Sequence, residues 1–119
     1  MSGLAMGLVV LVMLEHLFIL WMEMFSWERT GRKVFTSLSP ELFGLTRAMA
    51  ANQGLYNGFL VAGLLWSLLI ADPVWQCRVA TFFLGCVLTA GAYGGITVGR
   101  KIFLVQGLPA LLGLLVLLL

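Results

Sequence analysis

Residues 14–25 read LEHLFILWMEMF, and this stretch decides the fold because it places three ionisable side chains inside an apolar segment. They are Glu15, His16, which is the single histidine of the chain, and Glu23. An ionisable side chain in hydrocarbon costs about 2.5–3.5 kcal/mol on insertion scales. We therefore expect all three side chains to face protein, water or a ligand within a membrane protein.

The composition of the whole chain agrees with a membrane protein. Of 119 residues, 61% are hydrophobic and 10% are charged, whereas soluble domains average about 25% charged residues. A bilayer core about 30 Å thick needs about 20 apolar residues per helix, so four spans approach the maximum for this length. We predict an all-α fold, an integral membrane antiparallel four-helix bundle, forming a single transmembrane domain over residues 1–119.

Polar interruptions set the expected bounds of the spans. Four segments are predicted to cross the membrane: residues 3–25, 46–71, 78–98 and 102–119. The long first connection contains Ser39, Pro40 and Glu41, which predict a short helix with Ser39 as its N-cap. Proline at position 73 is expected to end the second span, and a tight turn through Gln76 leads to the third.

The distribution of lysine and arginine predicts the orientation. The basic residues that flank the first and third connections are Arg29, Arg32, Lys33, Arg47, Arg100 and Lys101. Arg78 alone lies beside the second connection. The positive-inside rule then puts the first and third connections in the cytoplasm and both termini on the outer face. Anchoring to anionic headgroups explains these charges, so membrane lipids and not nucleic acid are the expected partners.

The second span carries a polar face. With Asn52 set at 0°, Tyr56 lies at about 40°, Gln53 at about 100° and Asn57 at about 140° around the helix. Interhelical hydrogen bonds in membranes are worth only about 0.6 kcal/mol on average, so three amides and a phenol exceed what helix association requires. This face predicts a ligand-binding site, and polar contacts between helices are the structural alternative.

Small residues form close-packing ridges on two of the predicted helices. They recur at intervals of four, which lets another helix backbone approach closely. The ridge residues are Gly54, Gly58 and Ala62 in the second span and Gly91, Gly95 and Gly99 in the third. Both ridges make a homo-oligomer plausible, although contacts inside one bundle would also occupy them.

The ionisable residues of the first span lie on one half of their helix. Seven residues separate His16 from Glu23, which brings them within about 20° of each other and about 10 Å apart along the axis. Glu15 lies about 80–100° away from both. We expect a shared interior site with the polar face of the second span. The structural alternatives are an interfacial Glu23 paired with Arg47, and a Glu15–His16 pair that only hydrogen-bonds between helices.

The last two spans each add a candidate ligand contact. Tyr93 lies four residues before Thr97, which predicts a polar stripe on the third helix. Pro109 removes the backbone hydrogen bond to Val105, so a kink and a free carbonyl are expected beside Gln106. Tyr93 and Gln106 are therefore predicted ligand contacts, with hydrogen bonding inside the bundle as the alternative. The spacing of the two cysteines predicts neither a metal site nor a disulfide.

Four runs of sequence carry a family resemblance: EHLFILWMEMFSW, ANQGLYNGFLVAGLLW, AGAYG and KIFLVQGLPALL. They resemble a family of small, four-helix bacterial membrane proteins of unknown function, and the resemblance covers nearly the whole chain. It implies a multi-pass protein of the bacterial inner (cytoplasmic) membrane and implies no particular activity.

A fainter likeness points to the MAPEG membrane enzymes and rests on Arg47, Asn52 and Tyr93. It implies a trimer that binds glutathione. The interval from Arg47 to Asn52 is five residues, where that family has four, and Leu55 stands where its glutamate is expected. The chain is also similar to styrene oxide isomerase, another small four-helix trimer, which implies haem ligated by His16.

Two classes of function follow from these residues. In the first, a small lipophilic or amphipathic molecule binds in an intramembrane polar pocket. Glu15 or His16 moves a proton in this class, as in a MAPEG-like or isomerase-like enzyme. The pocket-lining residues are Glu23, Arg47, Asn52, Gln53, Tyr56, Asn57, Tyr93 and Gln106. In the second class, Glu15, His16 and Glu23 form the relay of a small oligomeric proton-coupled transporter or ion pathway.

Overall fold

The computed structural model describes all residues, 1–119, and every regular element in it is helical. The α-helices are α1 (Gly3–Phe25), α2 (Arg32–Val34), α3 (Leu42–Leu45), α4 (Arg47–Leu69), α5 (Pro73–Thr97), α6 (Arg100–Ile102) and α7 (Leu108–Leu118). Two π-helical segments, Trp27–Gly31 and Phe103–Gly107, lie between them. The all-α prediction is confirmed.

Three helices are long and apolar enough to cross a membrane, which indicates a membrane protein. They are Gly3–Phe25, Pro73–Thr97 and the continuous stretch Arg100–Leu118. Helix α4 has 23 residues and is long enough, but its three amides, Asn52, Gln53 and Asn57, lower its hydropathy. The first, third and fourth predicted spans thus correspond to helices with membrane-spanning character, and α4 differs from them in polarity rather than in length.

Helix α5 begins at Pro73, earlier than the expected start of the third span at residue 78. The Asp72 carboxylate accepts a hydrogen bond from the Trp75 backbone N–H at 2.9 Å. Asp72 is therefore the N-cap and Pro73 occupies the first turn, where its missing N–H costs nothing. The turn expected through Gln76 is already helical, because proline favours a helix start as well as a helix end.

The chain divides into two compact units, and the first comprises Met1–Glu15 and Leu60–Leu119. Aliphatic side chains form its core. The fully buried members are Val9, Val12, Leu64, Ala80, Leu84, Val87 and Ala110. Gly113 of α7 lies against this core, since a Cβ there would be 3.0 Å from Leu84 Cδ1.

Glycines bring α5 and the last helical stretch into close contact within this unit. A Cβ on Gly91 would lie 2.6 Å from the Gly107 nitrogen and 2.7 Å from its Cα. A Cβ on Gly95 would lie 2.8 Å from Phe103 Cβ. The predicted ridge of the third span is therefore used at Gly91 and Gly95, whereas Gly99 has open space around it. Backbone contact of this kind requires residues without a side chain.

The irregularity expected beside Pro109 takes the form of a π-helical segment. Phe103–Gly107 precedes α7, in which proline occupies the first turn. A π-helical turn widens the backbone ladder by one residue, which accommodates a proline that cannot donate to the preceding turn. Gln106 lies within this segment and is partly buried.

The second unit comprises His16–Phe59. Helix α1 ends at Phe25, and helix-like hydrogen bonds continue past a bend at Ser26. The backbone N–H groups of Thr30 and Gly31 both donate to the Ser26 carbonyl, at 2.8 and 3.1 Å. The second of these bonds has the spacing of a π-helix.

An aromatic cluster holds the first connection together. The Trp27 ring lies 5.0 Å from the Phe43 ring and 5.5 Å from the Phe35 ring, measured between centroids. Phe43 is 1% exposed, and it places α3, whose N-cap is Glu41 and not the expected Ser39. The short helix predicted here therefore exists but starts later, because the Ser39 carbonyl accepts the Leu42 N–H in a preceding turn.

Candidate functional site

Glu23 and Asn57 form a hydrogen-bonded pair between α1 and α4 in the second unit. The Asn57 Nδ2 group donates to Glu23 Oε1 at 2.7 Å and also to the Gln53 carbonyl of its own helix at 3.2 Å. Glu23 is 2% exposed, although it lies only two residues from the end of α1. The acidic side chain of Glu23 is thus enclosed by protein near the C-terminal end of an apolar helix.

Glycines of α4 make this pair possible. A Cβ on Gly54 would lie 2.7 Å from Met24 Cγ, 3.0 Å from Glu23 Cβ and 3.2 Å from the Leu20 carbonyl oxygen. A Cβ on Gly58 would lie 2.8 Å from Leu20 Cδ1. The two helix halves run antiparallel, since the later residue of α1 meets the earlier residue of α4. Close approach at the glycines brings the short Asn57 side chain within reach of Glu23.

His16 and Glu15 are neighbours in α1 but differ in burial and lie on either side of the division between the two units. His16 is 1% exposed in the second unit. Glu15 belongs to the first unit and is partly buried, with an Oε2 atom that is buried and has no hydrogen-bond partner. The His16 side chain is thus enclosed by protein, whereas the Glu15 side chain is enclosed only in part.

The other three residues of the predicted polar arc, Asn52, Gln53 and Tyr56, lie on the exposed face of α4. Asn52 and Gln53 are exposed, and Tyr56 is 61% exposed with its ring 5.4 Å from that of Phe59. Only Asn57, at the edge of the polar arc next to Gly54 and Gly58, enters the contact with α1. The structure therefore brings together Glu23 and Asn57 and leaves the other members of the arc on the surface of the chain.

Arg47 pairs with Glu28 and not with Glu23. Its Nη1 atom lies 3.8 Å from Glu28 Oε1, and both side chains are well exposed. The alternative interpretation of Glu23, an interfacial carboxylate neutralised by Arg47, is therefore not what the structure contains. Sequence reasoning missed Glu28, which stands one turn beyond the end of α1 and is the natural partner of a basic residue at the start of α4.

A second polar network, which sequence reasoning also missed, lies at the π-helical segment. The Trp27 indole N–H donates to Thr46 Oγ1 at 3.0 Å, and the Thr46 hydroxyl donates to the Leu42 carbonyl at 2.8 Å. The hydroxyls of Ser26 and Thr30 lie 2.6 Å apart. The signal in the sequence is a tryptophan directly after an apolar helix with hydroxyl residues on either side of the connection.

Comparison with known proteins identifies the family. The family described as "Protein of unknown function (DUF1304)" matches residues 10–118. The chain belongs to this family. The predicted membership of a small family of unknown function is thereby confirmed, and every predicted site residue from Glu15 to Gln106 lies inside the range that matches DUF1304.

A relative that matches nearly the whole chain is found among curated proteins. The chain is 31% identical over 117 residues to "Uncharacterized protein YpaA" of Lactococcus lactis subsp. lactis (strain IL1403), with 97% of each chain covered. No solved structure matches the chain. The likenesses to MAPEG enzymes and to styrene oxide isomerase are not shown by these matches and stay predictions.

Two predicted ligand contacts of this DUF1304 protein, Tyr93 and Gln106, belong to the first unit and not to the unit that contains Glu23 and Asn57. Tyr93 of α5 is 70% exposed, and its carbonyl accepts the Thr97 hydroxyl at 2.8 Å. Thr97 therefore satisfies its hydroxyl within its own helix. Gln106 is held in the π-helical segment close to the crossing of Gly91 and Gly107. Both residues belong to the first unit.

Proposed function

We propose that this DUF1304 protein binds a small lipophilic or amphipathic molecule in the membrane, and that Glu23 and Asn57 are the polar anchor of the site. The observation that carries the proposal is the 2.7 Å hydrogen bond between Asn57 Nδ2 and Glu23 Oε1, formed by a carboxyl group that is 2% exposed. An ionisable residue inside a membrane-spanning helix is by default a candidate functional residue.

The energetics support a functional role over a structural one. One interhelical hydrogen bond in a membrane contributes only about 0.6 kcal/mol on average. Gly54 and Gly58 already provide the close contact between α1 and α4. Helix association therefore does not require the pair, which is expected where a carboxyl group serves binding or chemistry.

The exposed face of α4 supports a site that is completed by a second subunit. Asn52, Gln53 and Tyr56 carry hydrogen-bonding groups that lipid tails cannot satisfy. In the proposed assembly, a homo-oligomer with a trimer as the expected form, these groups orient the ligand at the subunit interface. Helix α4 then serves as the fourth membrane span of a bundle, covered on its polar side by protein and ligand.

The remaining predicted residues take supporting roles in this proposal. Glu15 and His16 carry proton transfer where the ligand is chemically transformed, as in a MAPEG-like or isomerase-like enzyme. Tyr93 and Gln106, which belong to the first unit, stay predicted ligand contacts, and Arg47 lies at the headgroup level. The protein is placed in the bacterial inner (cytoplasmic) membrane, with the first and third connections in the cytoplasm and both termini outside.

The proposal is tested by extracting bound small molecules from purified protein. The wild type and the double variant Asn52→Ala, Asn57→Ala are purified in mild detergent, and organic extracts are compared by mass spectrometry. We expect a compound in the wild-type extract that is absent from the double variant, while gel filtration shows the same oligomer. An identical compound at an equal amount in both extracts refutes the assignment.

A matched control uses Thr89→Val. The Thr89 hydroxyl donates to the Gly85 carbonyl of its own helix at 2.8 Å and is exposed, so this variant removes a polar group without touching the proposed site. It should retain the compound. An absorption spectrum of the same wild-type sample tests the haem prediction, because haem ligated by His16 gives a Soret band.

A second candidate function, a proton-coupled transporter or ion pathway, is favoured by Glu15. Its Oε2 atom is buried without a hydrogen-bond partner, and such an oxygen is costly unless it exchanges protons or binds an ion. Proton flux into proteoliposomes, measured with a pH-sensitive dye, is then lost in Glu15→Gln. Equal flux in wild-type and protein-free vesicles, or undiminished flux in Glu15→Gln, excludes this function.

A further inference from the structure

A groove lies at the end of α1, beside the first connection and within the second unit. It has a volume of about 560 Å³ and is open on one side. Its lining combines apolar and charged side chains: Trp21, Met24, Phe25, Ser26, Trp27, Glu28, Arg29 and Arg47. Glu23 and Asn57, the polar anchor of the ligand site proposed above, do not line the groove.

The apolar wall of the groove continues the membrane-spanning surface of α1. Trp21 is 42% exposed and Phe25 is 72% exposed, and both belong to a helix apolar enough to cross a membrane. Indole rings favour the level of the headgroups, where their apolar body and polar N–H are both accommodated. This wall is therefore suited to the upper part of an acyl chain.

The charged rim stands where the headgroup of a lipid would lie. Two arginines, Arg29 and Arg47, and one acidic residue, Glu28, line this part of the groove. The Arg47–Glu28 ion pair is long, at 3.8 Å, and the side chains are 76% and 47% exposed. A pair of this kind contributes little to stability, so a phosphate group can replace Glu28 as the partner of the Arg47 guanidinium. Guanidinium groups bind phosphate through two parallel hydrogen bonds.

Trp27 forms the part of the groove between the apolar wall and the charged rim, and its side chain is fixed by several contacts. The Trp27 N–H is bonded to Thr46 Oγ1 at 3.0 Å, and its ring lies between those of Phe35 and Phe43. Gly31 allows this ring to lie against the backbone, since a Cβ there would be 2.7 Å from Trp27 Cε3. The groove is thus preformed, which reduces the entropic cost of binding.

We propose that this groove binds one anionic phospholipid, with the phosphate held by Arg29 and Arg47 and an acyl chain along Trp21 and Phe25. The excess of positive charge selects an acidic lipid over a zwitterionic one, and the apolar wall selects a lipid over a free anion. An arginine near a membrane surface contributes about fivefold to the binding of an acidic lipid. Removing both arginines should therefore lower the preference for an acidic over a zwitterionic lipid by more than tenfold, because the two fivefold factors multiply.

The test uses tryptophan quenching by brominated lipids. Trp21 and Trp27 line the groove, so the variant Trp66→Phe, Trp75→Phe reports from these two rings alone. The variant is reconstituted in vesicles of phosphatidylcholine that contain increasing amounts of either dibromo-phosphatidylglycerol or dibromo-phosphatidylcholine. We expect phosphatidylglycerol to quench at a much lower mole fraction. Equal quenching by the two lipids overturns the proposal.

Charge variants in the same background locate the site. Arg29→Gln with Arg47→Gln should abolish the preference, whereas Arg100→Gln with Lys101→Gln, a matched loss of two charges at another connection, should keep it. Loss of preference in both double variants, or in neither, overturns the groove as the binding site.

Two further measurements guard against misfolding and against a simple anion site. Glu28→Gln removes the carboxylate that competes for Arg47, so this variant should increase the preference for phosphatidylglycerol, a gain that a damaged fold does not produce. An unchanged or lower preference contradicts the proposal. Inorganic phosphate added to the vesicles should leave the quenching unchanged, and displacement by it shows an anion site without lipid selectivity.

Discussion

Replacing Glu23 and Asn57 together should restore the stability that replacing Asn57 alone removes. Asn57 supplies the hydrogen bond to Glu23 Oε1 at 2.7 Å, and Glu23 is 2% exposed. Asn57→Leu leaves this carboxyl oxygen buried without that donor. Removing one partner of a buried hydrogen bond costs about 1–3 kcal/mol, because the remaining group keeps its desolvation penalty.

The two single variants should differ in cost. In Glu23→Met the Asn57 amide keeps its second acceptor, the Gln53 carbonyl at 3.2 Å, and an acid is removed from an apolar helix. This variant should therefore lose less than about 1 kcal/mol. In Asn57→Leu the carboxyl group has no such second partner on α4, so the loss is larger.

The double variant, Glu23→Met with Asn57→Leu, replaces both partners by apolar side chains of similar size. Such a replacement is close to neutral for buried polar pairs. We expect the double variant to be more stable than Asn57→Leu. The coupling free energy should lie between about 0.6 kcal/mol, the average for hydrogen bonds between membrane helices, and about 1.7 kcal/mol, their maximum. It should nevertheless fail to retain the bound compound, because the polar anchor is gone.

The assay is reversible unfolding in mixed micelles, with the fraction of denaturing detergent increased stepwise and helix content followed by circular dichroism. Thr89→Val combined with Asn57→Leu is the control pair. Thr89 bonds to Gly85 and shares no partner with Asn57, so the two changes should add within about 0.5 kcal/mol. If Glu23→Met and Asn57→Leu also add without coupling, the hydrogen bond does not act as described.

Two further predictions concern helix contacts and caps. Gly91→Ala should lower the melting temperature, because its Cβ would lie 2.6 Å from the Gly107 nitrogen and overpacking costs about 1–3 kcal/mol. Gly85→Ala should raise the melting temperature, because a Cβ there has no atom within 4 Å and alanine favours a helix over glycine by about 1 kcal/mol. Asp72→Ala should cost about 1 kcal/mol by removing the acceptor of the Trp75 N–H, and Asp72→Asn should cost much less. Thermal unfolding by circular dichroism checks both pairs, and equal shifts within either pair contradict the corresponding contact.

The main helices could be predicted from the sequence because apolar length and polar interruptions determine them. The expected segment 3–25 coincides with α1, and the expected end of the third segment at 98 lies next to the end of α5 at Thr97. Close packing could be predicted as well, since glycines at intervals of four lead to backbone contact, as found at Gly54 and Gly91.

Local backbone geometry could not be predicted in the same way. The π-helical segment after Ser26 depends on the Trp27 ring lying on Gly31 and between Phe35 and Phe43, which are contacts across the connection. Hydrophobic periodicity does not record such contacts. The start of α5 was predictable in principle, because Asp72 followed by proline has the pattern of an N-cap and first helical residue.

The polar face of α4 shows why periodicity alone overestimates a site. On the helix, the arc from Asn52 to Asn57 covers about 140°, and the ridge of Gly54 and Gly58 begins about 60° beyond it. The segment of α1 that packs on this ridge reaches the nearest side chain of the arc and no farther, so Asn57 meets Glu23 while Tyr56 stays 61% exposed. The angular positions of residues around a helix show which of them share a face. The position of the glycine ridge determines which of these residues a neighbouring helix can contact. The rest of the face needs another surface, a second subunit in our proposal, and the geometry of that surface is not contained in the angles of one helix.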